Sequence, residues 1–421
     1  MAINKKHTFN KIILTSGIIL IGFFIYLDLI GLDTDQYDPG ESTVTVSSEI
    51  SIPDASTTSV AGTFLNNGIL FVAFERGGEV YLNYNKAGRW LNNSLALNIP
   101  SHYGVEAITI ENPRPNASTF VCLFIKDGSQ DKGTIQYTCS PINYSAEGDP
   151  VFSWAVPTVL DLATKDDING MVAATSTSKN EFHLVLNEFA DQGGSGDNSD
   201  RYATKRIDCK ITQIDDLDHG IILNDLCRLD VLASYITPEQ FKEPSIVAVP
   251  APIASDPKEL YIFFRDTHAN QNHVGYVSLS GFVQGKSDIF LKDAQGNTRN
   301  SSDRVASYYF SPVCPEGYCE PYIYAAYKNE NNNEVRFSKI SLADWLIADP
   351  EGPGYKKWKH CELKEFNEAN GQYEPSVFSN QGPMLVEFAH TLYLLYSNAK
   401  NDNALVYKQI DLMNIDGPVC N

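Results

Sequence analysis

Two stretches decide how this chain reads. Glu243-Pro244-Ser245-Ile246-Val247 is followed by Leu260-Tyr261-Ile262-Phe263-Phe264, and Glu374-Pro375-Ser376-Val377-Phe378 is followed by Leu392-Tyr393-Leu394-Leu395-Tyr396. The Glu-to-Tyr spacing is 18 residues in the first copy and 19 in the second. A polar triplet and an aromatic strand recurring at one distance mark a repeated supersecondary unit.

With that unit as a ruler, six hairpins rich in aromatic and β-branched residues appear along the chain. They pair Ile69 to Phe74 with Val80 to Tyr84, Thr119 to Ile125 with Thr134 to Cys139, and Phe182 to Leu186 with Tyr202 to Ile211. The other three pair Leu260 to Phe264 with Val274 to Leu279, Tyr322 to Tyr327 with Val335 to Ile340, and Leu392 to Tyr396 with Leu405 to Ile410. A short small-residue or β-branched run precedes most of them: Val105 to Ile110, Met171 to Ala174, Ile246 to Val249 and Val305 to Phe310. A fourth run follows several, as at Phe152 to Val156, Ile221 to Leu229 and Ile289 to Leu291. Four strands per unit, repeated six times at roughly sixty residues, describe an all-β, six-bladed β-propeller. Two packed sandwiches would give no reason for one phrase to recur at whole-block spacing. Helix signals are confined to single turns at Leu342 to Ala348 and Pro238 to Lys242.

The first 31 residues carry Lys5, Lys6 and Lys11, then an apolar run from Ile12 to Leu27 that Leu29 and Ile30 extend. That length and the absence of small residues at a cleavage site predict an uncleaved signal anchor over 12–31, with a cytoplasmic tail over 1–11. Basic residues before the span and Asp28, Asp33, Asp35 and Asp38 after it place the body outside the cytoplasm, extracellular or luminal. Residues 32–52 read as a stalk with a possible closing strand from Thr43 to Ile52, and 53–421 as the propeller. Sequons at Asn92, Asn116, Asn143 and Asn300 are glycosylation sites in such a compartment.

All eight cysteines lie beyond the apolar run. Cys122 and Cys139 flank one hairpin turn, Cys209 and Cys227 another, and Cys314 and Cys319 a short loop. Cys361 and Cys420 remain to tie down the carboxyl end. No Cys-x-x-Cys knuckle is present, which sets zinc ligation aside. A net charge of -20 excludes nucleic acid as a partner and adhesion of the body to an anionic membrane face.

Two family resemblances follow from short words. Asn83-Tyr84-Asn85-Lys86-Ala87-Gly88-Arg89-Trp90 resembles the Asp-box of sialidases and propeller lectins, with Asn at the Ser and Asp positions. A sialidase would also require three clamping arginines, an acid and a Tyr/Glu nucleophile pair. Arg76, Arg265, Arg304 and Arg336 lie near hairpins, but no Arg-Ile-Pro signature accompanies them. Glu243-Pro244-Ser245, Glu374-Pro375-Ser376 and Gln381-Gly382-Pro383 resemble words of the furanosidase-type propeller glycosidases, whose general acid lies in Glu-Gly-Pro. Gln381 cannot donate a proton as a carboxyl would, so this resemblance implies a non-catalytic relative or one in which Glu374 supplies the acid.

The candidate catalytic residues are therefore Glu243 and Glu374. Glu75-Arg76 and Arg265-Asp266 end apolar strands and are the ligand-binding candidates on a propeller face. His268 and His273 flank a hairpin turn, and Asp191 to Asp200 carries carboxylates and glycines that could wrap calcium without a calcium loop's spacing. No other cofactor is implied. The expected function is a membrane-anchored recognition protein binding glycan or a cell-surface protein. A propeller glycoside hydrolase or sialidase-like enzyme is the alternative, and a viral-type attachment protein a further one.

Overall fold

The computed structural model describes the chain between 42 and 410. Within that span 46–48, 58, 60, 112–117, 130–132, 162–167, 179, 190–201, 211–226, 231–240, 252–257, 267–271, 279–288, 293–296, 313–319, 348–357, 368–371 and 376 lie outside the description, as do 1–41 and 411–421.

Six sheets, antiparallel but for one added edge strand, make the blades of a six-bladed β-propeller, and their inner strands follow one another along the chain. The innermost strands are Gly62–Asn66, Gly104–Ile110, Ile168–Ser178, Phe241–Val249, Ala306–Phe310 and Met384–Phe388. Each blade then runs outward through its hairpin, as where Phe241–Val249 pairs Glu259–Asp266, and that strand pairs His273–Ser278. Among the described residues six apolar clusters occur, one at each junction of neighbouring blades. Phe124 and Tyr137 of blade two meet Met171 and Leu184 of blade three, for example, and Phe310 and Tyr324 of blade five meet Leu385 and Leu394 of blade six. The junction between blades one and two needs a glycine, because a Cβ on Gly62 would lie 2.6 Å from the Ala107 nitrogen.

The ring closes through Ile50–Ser56, the outermost strand of blade six beside Ala404–Gln409. Glu49 reinforces the seam by accepting from Tyr396 Oη and Asn398 Nδ2, both at 2.7 Å. The closing strand thus begins later than Thr43. Residues Ser42–Thr45 instead pair in parallel with Cys361 to Lys364 of blade five. Of the turn expected from Pro238 to Lys242, Phe241 and Lys242 belong instead to an inner strand, and 238–240 lie outside the described residues. A short helix, Leu342–Ile347, stands where a helical turn was expected, its Asp344 N–H capped by Ser341 Oγ at 3.0 Å.

Cys122–Cys139 and Cys209–Cys227 are disulfides joining directly opposed strand residues, with Cα separations of 4.1 and 4.0 Å. Cys361 is also disulfide-bonded, whereas Cys314, Cys319 and Cys420 lie outside the described residues. No helix among the described residues is long and apolar enough to cross a membrane, and the apolar run 12–31 is not among them.

Candidate active site at the mouth of the central channel

The amino-terminal ends of the inner strands and the carboxyl-terminal ends of the second strands meet on one face of a propeller, so residues distant in sequence converge there. Glu243 stands at the start of the blade-four inner strand and is 1% exposed. Its φ of 52° is in the left-handed region, a conformation a non-glycine residue keeps only where its surroundings over-determine it. Gly170 of blade three is the reason it fits: a Cβ there would come within 2.9 Å of Glu243 Cγ. Tyr103, from the connection into blade two, donates its hydroxyl to Glu243 Oε1 at 3.0 Å. Arg265, at the end of a blade-four strand, places Nη2 3.6 Å from Glu243 Oε2 and donates Nη1 to the Ser302 carbonyl at 2.5 Å.

A second carboxyl, Asp303, lies in the connection into blade five and is 7% exposed. Its Oδ1 accepts from the Arg304 N–H at 2.8 Å, and its Oδ2 lies 3.9 Å from Lys328 Nζ. Burial, with the neighbouring Glu243 carboxylate, pushes the Asp303 carboxyl up to about 7 despite the attraction of Lys328 and Arg265. Burial also drives the Tyr103 phenol far above its usual range, with Glu243 and Asp303 adding to the effect. Lys126, fully buried, donates Nζ to the Ile168 carbonyl at 2.7 Å and sits 5.0 Å from the centre of the Tyr103 ring.

The third carboxyl crosses the propeller axis. Glu106 of blade two accepts from Arg304 Nη2 at 2.7 Å, although blades two and five stand opposite each other in a ring of six. Burial holds the Glu106 carboxyl above its ordinary value, partly offset by Arg304. This pair lines the upper part of a central channel of about 310 Å³ to which all six inner strands contribute, with Thr63, Thr175, Ser245 and Ser307 among its hydroxyls. Ser245 and Ser307 bond across neighbouring blades at 2.8 Å.

Of the residues singled out in the sequence, Glu243 and Arg265 enter this cluster, and Arg304 joins them. Glu374 does not share Glu243's position. It lies on Gln372–Pro375, an extra strand on the outer side of blade five, where it pairs with Glu365. Glu75 accepts from Gly78 N–H and Ser59 Oγ, and Arg76 pairs with Asp54 at 2.8 Å and stacks on Tyr81, so both serve local structure. Asp266 is a strand residue opposite His273 and Phe241. His273 Nδ1 is bonded to Asn300 Oδ1, and among the described residues no group of His, Cys, Asp or Glu is arranged to hold a metal. His268 and the stretch 191–200 lie outside the described residues. Asn92 and Asn143 are exposed, Asn116 lies outside the description, and the Asn300 amide is engaged by Glu330 as well as by His273.

Gln381-Gly382-Pro383 leads into the blade-six inner strand, and its glycine is required because a Cβ there would lie 2.4 Å from the Arg304 carbonyl. The Asp-box-like word forms the outer hairpin of blade one, with Ala87 and Gly88 at φ of 52° and 80° in its two-residue turn. Sequence reading missed Tyr103, Glu106, Asp303, Lys126 and Lys328. The signal that found Arg265, a charge ending an apolar strand, is equally present at Lys126 in FVCLFIKDG and at Lys328 in YIYAAYK.

No family model matches this sequence, and no curated protein matches it. Among solved structures the fold is similar to an α-L-arabinofuranosidase of Fusarium graminearum in complex with an iminosugar inhibitor: 10% identity, TM-score 0.51, covering 88% of this chain and 98% of that one. A Penicillium chrysogenum α-L-arabinanase bound to arabinobiose aligns at 8% identity and TM-score 0.49, covering 88% and 97%. A Trypanosoma rangeli sialidase aligns at 11% identity and TM-score 0.48, covering 88% of this chain and 56% of that one. The six-bladed propeller and its resemblance to the arabinofuranosidase propeller therefore stand. The expectation of a recognition protein without a catalytic set is corrected: the propeller aligned at TM-score 0.51 is an arabinofuranosidase, and the mouth gathers buried carboxyls that the sequence kept apart.

Proposed function

We propose that this chain is a glycoside hydrolase whose chemistry runs at Glu243 and Asp303. One observation carries the reading: two buried carboxyls sit at one propeller mouth in environments that suit opposite roles. Asp303, whose carboxyl burial raises well above the usual carboxylate range, donates its proton to the glycosidic oxygen of the leaving group. Glu243, with Arg265 beside one oxygen and the Tyr103 hydroxyl on the other, acts as the carboxylate that meets the developing positive charge at the anomeric carbon. Water completes the hydrolysis, and Asp303, now ionised, recovers its proton.

The contact between Tyr103 and Glu243 supports a second reading, of sialidase type, in which Tyr103 attacks and Glu243 takes its proton. Burial and the Glu243 carboxylate hold the phenol protonated, which favours the first. A panel of chromogenic L-arabinofuranosides, other furanosides, pyranosides and sialosides tests both. Under the first reading, turnover of a neutral glycoside disappears in Glu243→Gln and Asp303→Asn and survives, reduced, in Tyr103→Phe. Under the second, only sialosides turn over and Tyr103→Phe is inactive. No turnover on any member of the panel overturns the proposal.

A further inference from the structure

Asp303 is surrounded by charge from several elements. Glu243 and Arg265 face it from blade four, Lys328 from blade five, and Tyr103 from the connection into blade two. The adjacent residue, Arg304, carries a guanidinium that would be a near cationic partner for Asp303. It touches Asp303 only through its backbone N–H, at 2.8 Å, while its Nη2 reaches across the axis to Glu106 Oε2 at 2.7 Å. The Arg304 backbone is confined, with Gly382 packed against its carbonyl and Ser301 Oγ bonded to both the carbonyl and the N–H of Asp303. What holds the guanidinium where it is, therefore, is Glu106. A buried arginine cannot lose its charge, so with Glu106 made neutral it turns to the nearest remaining anions. The buried carboxyls of the mouth, Asp303 beside it in sequence and Glu243, are the candidates.

We propose that Glu106 is a positioning residue for this site: from the opposite blade it holds the Arg304 guanidinium away from the Asp303 carboxyl, so that Asp303 meets its substrate as a proton donor. The inference rests on the acid role given to Asp303 above, but the arrangement is testable without substrate. An arginine brought beside a carboxyl favours the ionised form, whereas one kept on another carboxylate across the channel does not. Both partners of the ion pair also line the hydroxyl-bearing central channel.

The test is a direct titration of Asp303 in the full chain, by carbon NMR of protein labelled at the aspartate carboxyl. The resonance is assigned by its loss in Asp303→Asn. In Glu106→Gln the titration moves downward by about one pH unit or more. In the double variant Glu106→Gln/Arg304→Gln, which leaves no uncompensated buried charge, it returns toward the wild-type position. Arg304→Gln alone does not lower it. A Glu106→Gln titration that stays in place overturns the proposal, and so does a double variant that titrates like Glu106→Gln, or a downward shift in Arg304→Gln alone. Should Glu106→Gln not fold, the comparison of wild type with Arg304→Gln and the double variant still decides, because a downward shift in either contradicts the mechanism. Because no turnover is needed, an inactive glycoside panel defeats the proposed function without touching this result. An active enzyme whose Asp303 titration ignores Glu106 defeats this inference alone. In an active enzyme the basic limb of the pH profile moves down with the titration, which a purely structural role for Glu106 would not produce.

Discussion

Asp303→Asn should stabilise the protein at alkaline pH while removing its proton donor. The folded chain raises this carboxyl from 3.8 to about 7, chiefly through burial. Between those two values the folded state binds a proton that the unfolded state has released. The contribution of Asp303 to stability is therefore undiminished below the lower value, and it falls as pH rises toward and through the higher one. The gap is about three pH units, and at 1.36 kcal/mol per unit the ionised carboxylate costs the fold about 4 kcal/mol above neutrality. Asparagine is an isostere of the neutral acid. It keeps an oxygen for the Arg304 N–H, and Lys328 retains the Asn380 carbonyl at 3.0 Å. Urea unfolding with disulfides intact, compared at about pH 4 and about pH 8.5, reads this contribution together with the response of Glu243 and Tyr103, the titrating groups that Asp303 acts on. The variant should match wild type to within about 1 kcal/mol at the lower pH and exceed it by up to about 4 kcal/mol at the higher. Turnover should fall by about a hundred- to ten-thousand-fold, the usual contribution of a positioned acid. An equal stability difference at both pH values, or a variant weaker than wild type at the higher one, would refute the burial argument.

Gly170→Ala should disturb Glu243 from the next blade, since its Cβ would lie 2.9 Å from Glu243 Cγ at a φ of +67°. A loss of about 1–3 kcal/mol in urea unfolding, with kcat falling more than KM rises, is expected. Replacing both Cys122 and Cys139 by Ala opens a loop with a sequence separation of 17 and should cost about 3 kcal/mol. Unchanged unfolding midpoints would show the bridge to be redundant with the strand pairing around it. In a secretory expression host, glycopeptide mapping should find glycans at the exposed Asn92 and Asn143 and none at Asn300, whose amide is bound by Glu330 and His273. Equal occupancy of all three would mean that Asn300 is modified before those bonds form.

The blades were legible in the sequence because period-two apolar strands around polar turns leave a strong local trace. The repeated Glu-Pro-Ser phrase gave the right count of blades for an incomplete reason. In its first copy Pro244 lies within an inner strand, yet in its second Pro375 pairs with Lys364 on an added outer strand, and the blade-six inner strand begins only at Met384. A proline suits the start of a strand or its edge equally well, so the word alone could not separate the two places. Arg265 was visible as a charge ending an apolar run. Tyr103 and Asp303 were not, since nothing within a connection tells which distant residue it will face. Tyr103 and Glu243 are 140 residues apart, and Glu106 and Arg304 are 198.

Those separations also say what the rest of the fold does for the site. Contacts between opposite blades hold their geometry only if the circumference of the ring is fixed, and the circumference is set by six apolar junctions and one seam. Each junction is closely packed, down to a glycine at the meeting of blades one and two, and the seam is held by backbone pairing and by Glu49. A change of even one methylene in such a junction is felt by its neighbours, because close-packed interiors transmit strain. Substitutions far from the mouth, at Ile52 or Leu395 in the junction beside the seam, should therefore reach Glu243 through a shift of blades and not through any direct contact. The buried charges at the mouth raise the demand for that precision, since an ion pair drawn apart in a site of low dielectric leaves each partner uncompensated. Ring closure is in this sense part of the catalytic apparatus proposed for Glu243 and Asp303.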